Sequence, residues 1–133
     1  MKKKVLAIAA IGFFALSGTA LAMDDCSKKT SDSEVFACSE NNRVVAEKEL
    51  NKEYSEAKKR IETTFSDEPE VKKAYLPVFL DAQRGWLKYR DNQCKMFAHV
   101  AAEKSNPYAV FTNNCIAKLD AQRSNELKEI PYD

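Results

Sequence analysis

Apolar residues between positions 50 and 65 recur every three or four residues, which is the spacing of one face of an α-helix. The members of this stripe are Leu50, Tyr54, Ala57, Ile61 and Phe65. Ser31 to Ser33 provide side-chain oxygens of the kind found at helix N-caps, and nothing from Glu34 to Phe65 breaks a helix. The pattern predicts a first helix from Glu34 to Phe65, with the stripe facing a core.

Two further helices are predicted after short breaks. A turn at Ser66 to Pro69 precedes a second helix from about Glu70 to Glu103, and Pro77 inside that span either kinks the helix or marks its start. Ser105-Asn106-Pro107 stops the second helix and starts a third, from about Pro107 to Glu129. Its predicted inner face carries Tyr108, Phe111, Cys115, Leu119, Arg123 and Leu127. The predicted fold class is therefore all-α, a small bundle of three to four helices.

The four cysteines of the chain fit two disulfides within this bundle. The second and third helices should form an antiparallel hairpin that turns near Ser105. Cys94 lies eleven residues before Ser105 and Cys115 lies ten residues after it, so both are about equally far from the turn. The spacing predicts a Cys94 to Cys115 disulfide, which leaves Cys26 to pair with Cys38.

Polar residues interrupt the inner face of the second helix. Gln83, Trp86, Arg90 and Cys94 share one helical row. An inward guanidinium must be paired and fully hydrogen-bonded, and we expect its acceptors to be the Asn51 carbonyl, the Tyr54 hydroxyl, neighbours of Asp91 on other helices or carbonyls at helix ends. The row predicts a structural polar network that fixes helix register.

The first residues have the three parts of a secretory signal peptide. Lys2 to Lys4 are basic, the stretch from Val5 to Leu16 is apolar, and Ala20 and Ala22 are small residues that suit a signal peptidase. The apolar run is shorter than the roughly 20 residues that cross a membrane. Residues 1–22 are therefore predicted to be cleaved after Ala22, which would release residues 23–133 into the periplasm without a membrane span.

Charge and composition narrow the classes of function. The chain has 21 Lys and Arg against 20 Asp and Glu, and removing the three leader lysines leaves 18 against 20, a net charge of −2. Without a basic stripe, nucleic acid is not an expected partner. His99 is the only histidine and no C-x-x-C pair occurs, so we expect no metal and no cofactor. No Ser/His/Asp grouping is available either, and we expect no enzymatic activity.

Three segments carry a resemblance to a known family. They are Glu49-Leu50-Asn51-x-x-Tyr54, then Leu80-x-Ala82-Gln83-Arg84-x-Trp86-x-x-Tyr89-Arg90-Asp91-x-x-Cys94, and Cys115-x-x-x-Leu119-x-x-x-Arg123-x-x-x-Leu127. Together they resemble the lysozyme inhibitor LprI-like family, DUF1311, across nearly all of residues 23–133. The resemblance implies a structural motif made of Asn51, Tyr54, Gln83, Trp86, Arg90, Asp91 and Arg123. Gly85 and Asp120 depart from the alanine and threonine that the family usually has.

The resemblance implies a protein partner, a lysozyme or another peptidoglycan hydrolase. The candidate contacts are the acidic residues Asp67, Glu68 and Glu70 in one loop and Lys104 with Tyr108 in the other. An immunity protein against a cell-wall-targeting toxin would have the same leader, cysteines and size, and a non-enzymatic component of envelope stress or assembly is a third hypothesis. A large exposed apolar patch would favour the third or a homodimer, and a protruding polar loop would favour an inhibitor.

Overall fold

Three long helices make up the protein, as the all-α prediction requires. The computed structural model describes residues 22–132, so the predicted signal peptide lies outside the described residues except for Ala22. α1 spans Asp32–Thr64, α2 spans Pro69–Ala98 and α3 spans Asn106–Lys128, and a short 3-10 turn at Cys26–Lys28 precedes them. No strand occurs within the described range.

Local sequence explains where the helices begin. Ser31 forms a capping box with Glu34: the Ser31 hydroxyl accepts from the Glu34 N–H at 3.3 Å, and the Glu34 carboxylate accepts from the Ser31 N–H at 3.2 Å. Ser105 caps α3 by accepting from the Tyr108 N–H at 3.2 Å. Pro69 occupies the first turn of α2, where its missing N–H is not needed.

The predicted end of the second helix is wrong. α2 ends at Ala98 and not near Glu103, because the Ala101 N–H bonds back to the Ala98 carbonyl at 3.0 Å and Lys104 has a φ of 67°, which a right-handed helix does not allow. Pro77 does not mark a helix start, since α2 already begins at Pro69 and continues through it. Pro77 and Lys73, whose carbonyl loses its helical partner, are both exposed to solvent.

α3 is the central helix of the bundle. It packs against both other helices, most extensively against α1, whereas α1 and α2 touch at few points. Hydrogen bonds from Asn113 to Ser39 and from Arg60 to the Leu127 carbonyl show that α1 and α3 run parallel. The Cys94–Cys115 disulfide joins α2 and α3 as an antiparallel hairpin, with 5.4 Å between the Cα atoms. That pairing and the Cys26–Cys38 disulfide are both confirmed.

The apolar core lies where all three helices meet. Its buried members are Leu50, Ala57, Ile61, Phe79, Leu127 and Ile130. The predicted stripe of α1 is confirmed, because Tyr54 and Phe65 pack against this core. Phe79 is the residue of α2 that is buried in this apolar core, whereas its neighbour Leu80 is 38% exposed.

The predicted inner face of α3 proves to be its side toward α2. Leu127 is buried as predicted, and the other most deeply buried positions of α3 are Asn113, Ile116, Ala117, Asp120 and Ser124. Ser39 of α1 bonds to Asn113 on this face, which places it toward α1. Small residues such as Ala117 and Ser124 allow the close approach of two helices, and the polar members concealed the face from a search for apolar periodicity.

None of the helices between residues 22 and 132 has an apolar stretch of the length that a membrane span requires.

Candidate functional site

Arg90 lies at the centre of a polar network between the helices. Its Nη1 donates to Asp120 Oδ1 at 3.0 Å, and its Nε and Nη2 donate to Asp91 Oδ1 at 2.9 and 2.8 Å. Glu47 of α1 adds a carboxylate oxygen at 3.8 Å from Nη1. The Arg90 side chain is 11% exposed and that of Asp120 is fully buried.

Two of the acceptors predicted for Arg90, Asn51 and Tyr54, are wrong. Asn51 is exposed, and the ring of Tyr54 stacks on Phe79 at 4.8 Å between centroids, so neither takes part in the network. Asp120 on α3 is the buried counterion instead. A carboxylate fits this position because an inward charge is tolerated only beside an opposite charge.

Burial sets the proton affinities of this pair. Removal from solvent raises the pKa of Asp120 above its ordinary value, and the hydrogen bond from Arg90 offsets only part of that effect. Burial by itself would lower the pKa of Arg90, but its hydrogen bonds to Asp120 and Asp91 leave that pKa raised. Arg90 is therefore charged at all physiological pH values, and Asp120 is the titratable member of the pair.

Trp86 lies close to two guanidinium groups. The Cζ atoms of Arg90 and Arg123 are each 5.8 Å from the Trp86 ring, within cation–π range. Arg123 Nε donates to Gln83 Oε1 at 3.1 Å, and Arg123 Nη1 lies 2.8 Å from Glu126 Oε2. The structure thus brings Gln83, Trp86, Arg90 and Arg123 together.

A second set of polar contacts joins α1 to α3 and was not predicted from the sequence. Asn113 Nδ2 donates to Ser39 Oγ at 3.2 Å, and Arg43 Nη1 donates to Asn113 Oδ1 at 3.4 Å. Arg60 donates to the carbonyls of Leu127 and Ile130 at 2.7 and 2.9 Å, so it caps the end of α3. The helical spacing of Asn113, Asp120 and Ser124 was the signal that could have revealed this face.

These contacts suit a structural role better than chemistry. Every charge in the Arg90 network faces an opposite charge, and the network links α2 to α3 and to Glu47 of α1. Between residues 22 and 132, no cluster of three or more His, Cys, Asp or Glu side chains is placed to hold a metal ion. The network therefore links α2 to both other helices.

The candidate contact residues lie at opposite ends of the bundle. Asp67, Glu68 and Glu70 are exposed where α1 passes into α2, whereas Lys104 is exposed where α2 passes into α3. The 30 residues of α2 separate these ends by about 45 Å. Tyr108 lies in the first turn of α3, not in the loop, and is partly buried. A partner surface shorter than this distance cannot contact both ends at once.

At one end the sequence has a run of acidic residues that no basic residue interrupts, although Lys59, Arg60 and Lys128 lie close to it. Exposed carboxylates occur at Glu62, Asp67, Glu68 and Glu70, with no Lys or Arg between the first and the last of them. At the opposite end Glu103 stands next to Lys104, so the charges there alternate. We call residues 62–70 the acidic end.

Comparison with known proteins identifies relatives over most of the chain. The family model described as lysozyme inhibitor LprI matches residues 23–127. An uncharacterized protein of Rhizobium meliloti is 31% identical over 109 residues, which cover 80% of this chain and 78% of that protein. The crystal structure of a DUF1311 family protein from Pseudomonas putida is similar with a TM-score of 0.69 and 31% identity, over 77% of this chain and 96% of that chain.

Proposed function

This chain belongs to the lysozyme inhibitor LprI family, and from that premise we propose that it is an exported binding protein that inhibits lysozyme or another peptidoglycan hydrolase. The observation that carries the proposal is the family match over residues 23–127, which includes all three helices except the last residue of α3, and both disulfides. As a member of an inhibitor family, it would act by binding and not by catalysis.

The proposal places the mature protein in the periplasm. Two disulfides in a chain of this size, together with the family, indicate an extracytoplasmic protein. Residues 1–22 would serve as the signal peptide, and residues 23–133 would form the inhibitory domain.

We assign the first contact with the hydrolase to the acidic end. A run of carboxylates that no cation interrupts would produce a local negative potential that attracts a basic enzyme and raises the association rate. Asp67, Glu68 and Glu70 are exposed and belong to a short loop and the first turn of α2. The rigid helices on either side would hold these carboxylates in place with little loss of entropy on binding.

Residual lytic activity tests the proposal. Oxidised protein is mixed at equimolar ratio with a panel that includes a basic lysozyme, periplasmic hydrolases and a cell-wall-targeting toxin. Loss of lysis by any member supports inhibition and identifies the target, including the case of an immunity protein. Full lysis by every member would contradict the proposed function.

A pair of double variants tests the assigned contact. Asp67→Asn with Glu68→Gln removes two charges from the acidic end and should slow association with the inhibited hydrolase about tenfold. Glu40→Gln with Glu103→Gln removes the same charge from exposed positions elsewhere and should leave the rate unchanged. If instead Lys104→Glu is the only change that weakens inhibition, the contact lies at the opposite end.

A further inference from the structure

α2 has an apolar face that its own bundle leaves in solvent. Val71, Val78, Tyr89 and Met96 are 41%, 69%, 56% and 66% exposed. With the small residues Ala82 and Gly85 they are spaced seven, four, three, four and seven residues apart, which is heptad spacing on one side of a helix. We call these six residues the outer stripe of α2.

The outer stripe is separate from the face that packs in the core. Phe79, Gln83 and Cys94 point into the bundle and are buried, whereas the stripe is turned away from them by about a third of a helical turn. Six exposed positions at regular spacing over 26 residues form a continuous surface and not scattered single residues.

Nothing within one chain requires a glycine at position 85, in the middle of the stripe. A Cβ atom built there would meet nothing within 4 Å. Glycine in the middle of a helix lowers helix stability, and no close contact or unusual backbone angle inside the bundle requires it. A second helix that crosses at this point would require a small residue, because small residues allow two helix backbones to approach closely.

We propose that the outer stripe binds a second copy of this chain, with the two α2 helices antiparallel. In that arrangement Ala82 lies opposite Gly85 of the second copy, Val78 lies opposite Tyr89, and Val71 lies opposite Met96. All three pairs are centred on the same point, between Gln83 and Arg84. The stripe is therefore complementary to itself, as a two-fold interface requires.

The shapes of the two halves of the stripe also match. Val71, Ala74, Tyr75 and Val78, with Glu70 at the edge, line a shallow depression of about 550 Å³. The antiparallel arrangement places Tyr89 and Met96 of the second copy over this depression, so two exposed apolar side chains fill it. The two-fold axis repeats the same contact at the other end of the interface.

Charge beside the stripe selects the antiparallel second copy. Asp81 and Lys88 lie along the same edge of the stripe, and in the antiparallel arrangement Asp81 faces Lys88 of the second copy twice. Within one chain Asp81 is 3.9 Å from Arg84, and both side chains are more than two thirds exposed, so this pair is weak. A parallel arrangement would place Asp81 near Trp86 of the second copy, and the Asp81–Lys88 charge pairs would be lost.

Sedimentation velocity over a concentration series tests the proposal on the oxidised protein purified after expression of the full chain. We expect the mass to double with rising concentration. Val78→Asp should weaken association at least tenfold. At concentrations where the unchanged protein is monomeric it should leave the melting temperature the same, because Val78 is 69% exposed in the single chain. Lys73→Glu, on the polar side of the same helix, should leave association unchanged.

A charge exchange tests the orientation. Asp81→Lys alone and Lys88→Asp alone should each weaken the dimer, and the two changes together should restore it, because each lysine again faces an aspartate. A single monomeric species at every concentration, or a dimer that Val78→Asp leaves intact, would overturn the proposal. If the protein is monomeric and Val78→Asp reduces inhibition of a hydrolase, the stripe belongs to that partner and not to a second copy.

Discussion

The Arg90 and Asp120 pair is the residue-scale feature on which the helix arrangement depends most. Asp120 is fully buried, and its Oδ2 has no hydrogen-bond partner among the described residues. A buried carboxylate in this state is stabilised mainly by the adjacent guanidinium. Removing either Arg90 or Asp120 alone should therefore destabilise the fold, whereas replacing both with apolar residues should cost little.

Replacing Arg90 with methionine should lower the free energy of unfolding by about 3 kcal/mol at neutral pH, because it leaves the Asp120 carboxylate buried without a cation. Urea denaturation measures the change. The double variant Arg90→Met with Asp120→Leu should recover most of the loss, since apolar side chains of similar volume avoid the desolvation of both charges. Arg84→Met, at an exposed position on the same helix, is the matched control and should change little.

The stability that Arg90→Met loses should depend on pH. Burial raises the pKa of Asp120, so the folded protein holds this proton more tightly than the unfolded chain does. Binding of this proton to Asp120 therefore stabilises the folded state. That contribution is complete below the ordinary pKa of 3.8 and is lost as the pH rises through the raised pKa. Without Arg90 the pKa rises further, so the deficit of Arg90→Met should be smallest in acid and grow toward neutral pH. A deficit that is constant with pH would contradict this assignment.

At the scale of elements, the two disulfides tie different parts of the chain. Cys94–Cys115 joins α2 to α3 across a sequence separation of 21 residues, and Cys94 is fully buried. Cys26–Cys38 joins the segment before α1 to its first turns across 12 residues. Cys94–Cys115 therefore constrains the bundle, whereas Cys26–Cys38 constrains mainly the segment from Cys26 to Ser31.

Replacing Cys94 and Cys115 with alanine should lower the free energy of unfolding by about 3 kcal/mol, because the unfolded chain gains the freedom of that loop. Replacing Cys26 and Cys38 should cost less, since the released segment is exposed and adds little to the core. Loss of this disulfide should instead speed trypsin cleavage after Lys28 and Lys29, because these exposed residues would then lie on a loose segment. Urea denaturation and limited proteolysis compare the two, and equal losses of stability would contradict this division.

At the scale of the whole molecule, the bundle is a rod with distinct ends and sides. The acidic end and the Lys104 loop lie about 45 Å apart along the 30 residues of α2. The outer stripe of α2 occupies the side between them. Glu70 of the acidic end also lines the depression that the second copy would fill, so the two surfaces adjoin at this residue, whereas Asp67 and Glu68 lie outside the stripe.

Ionic strength should affect hydrolase binding and dimerisation differently. Raising the ionic strength from about 0.05 to 0.5 M should slow association with a basic hydrolase several-fold, because exposed charges are screened, and should change dissociation less. The apolar dimer contact should persist at the higher salt. Stopped-flow kinetics and sedimentation measure the two. An association rate that does not depend on salt would exclude steering by the acidic end.

Local sequence determined the elements of this protein. Helical periodicity, Ser31, Ser105 and the prolines determine where the helices begin, because caps and breakers act over a few residues. The cysteine pairing followed from the positions of Cys94 and Cys115 about one hairpin turn, which is also a local relation. The inward row of Gln83, Trp86 and Arg90 was visible for the same reason.

Tertiary structure alone decided which helices pack most closely and which groups complete the polar network. The most buried face of α3 carries the polar residues Asn113, Asp120 and Ser124, so it leaves no apolar pattern. Asn113 and Asp120 are paired only by residues of other helices, Ser39 and Arg90. The end of α2 at Ala98 depends on the turn that returns the chain to α3. Periodicity reports which side of a helix is apolar, but only the packed bundle shows which charge meets which, because those contacts join residues up to 74 positions apart.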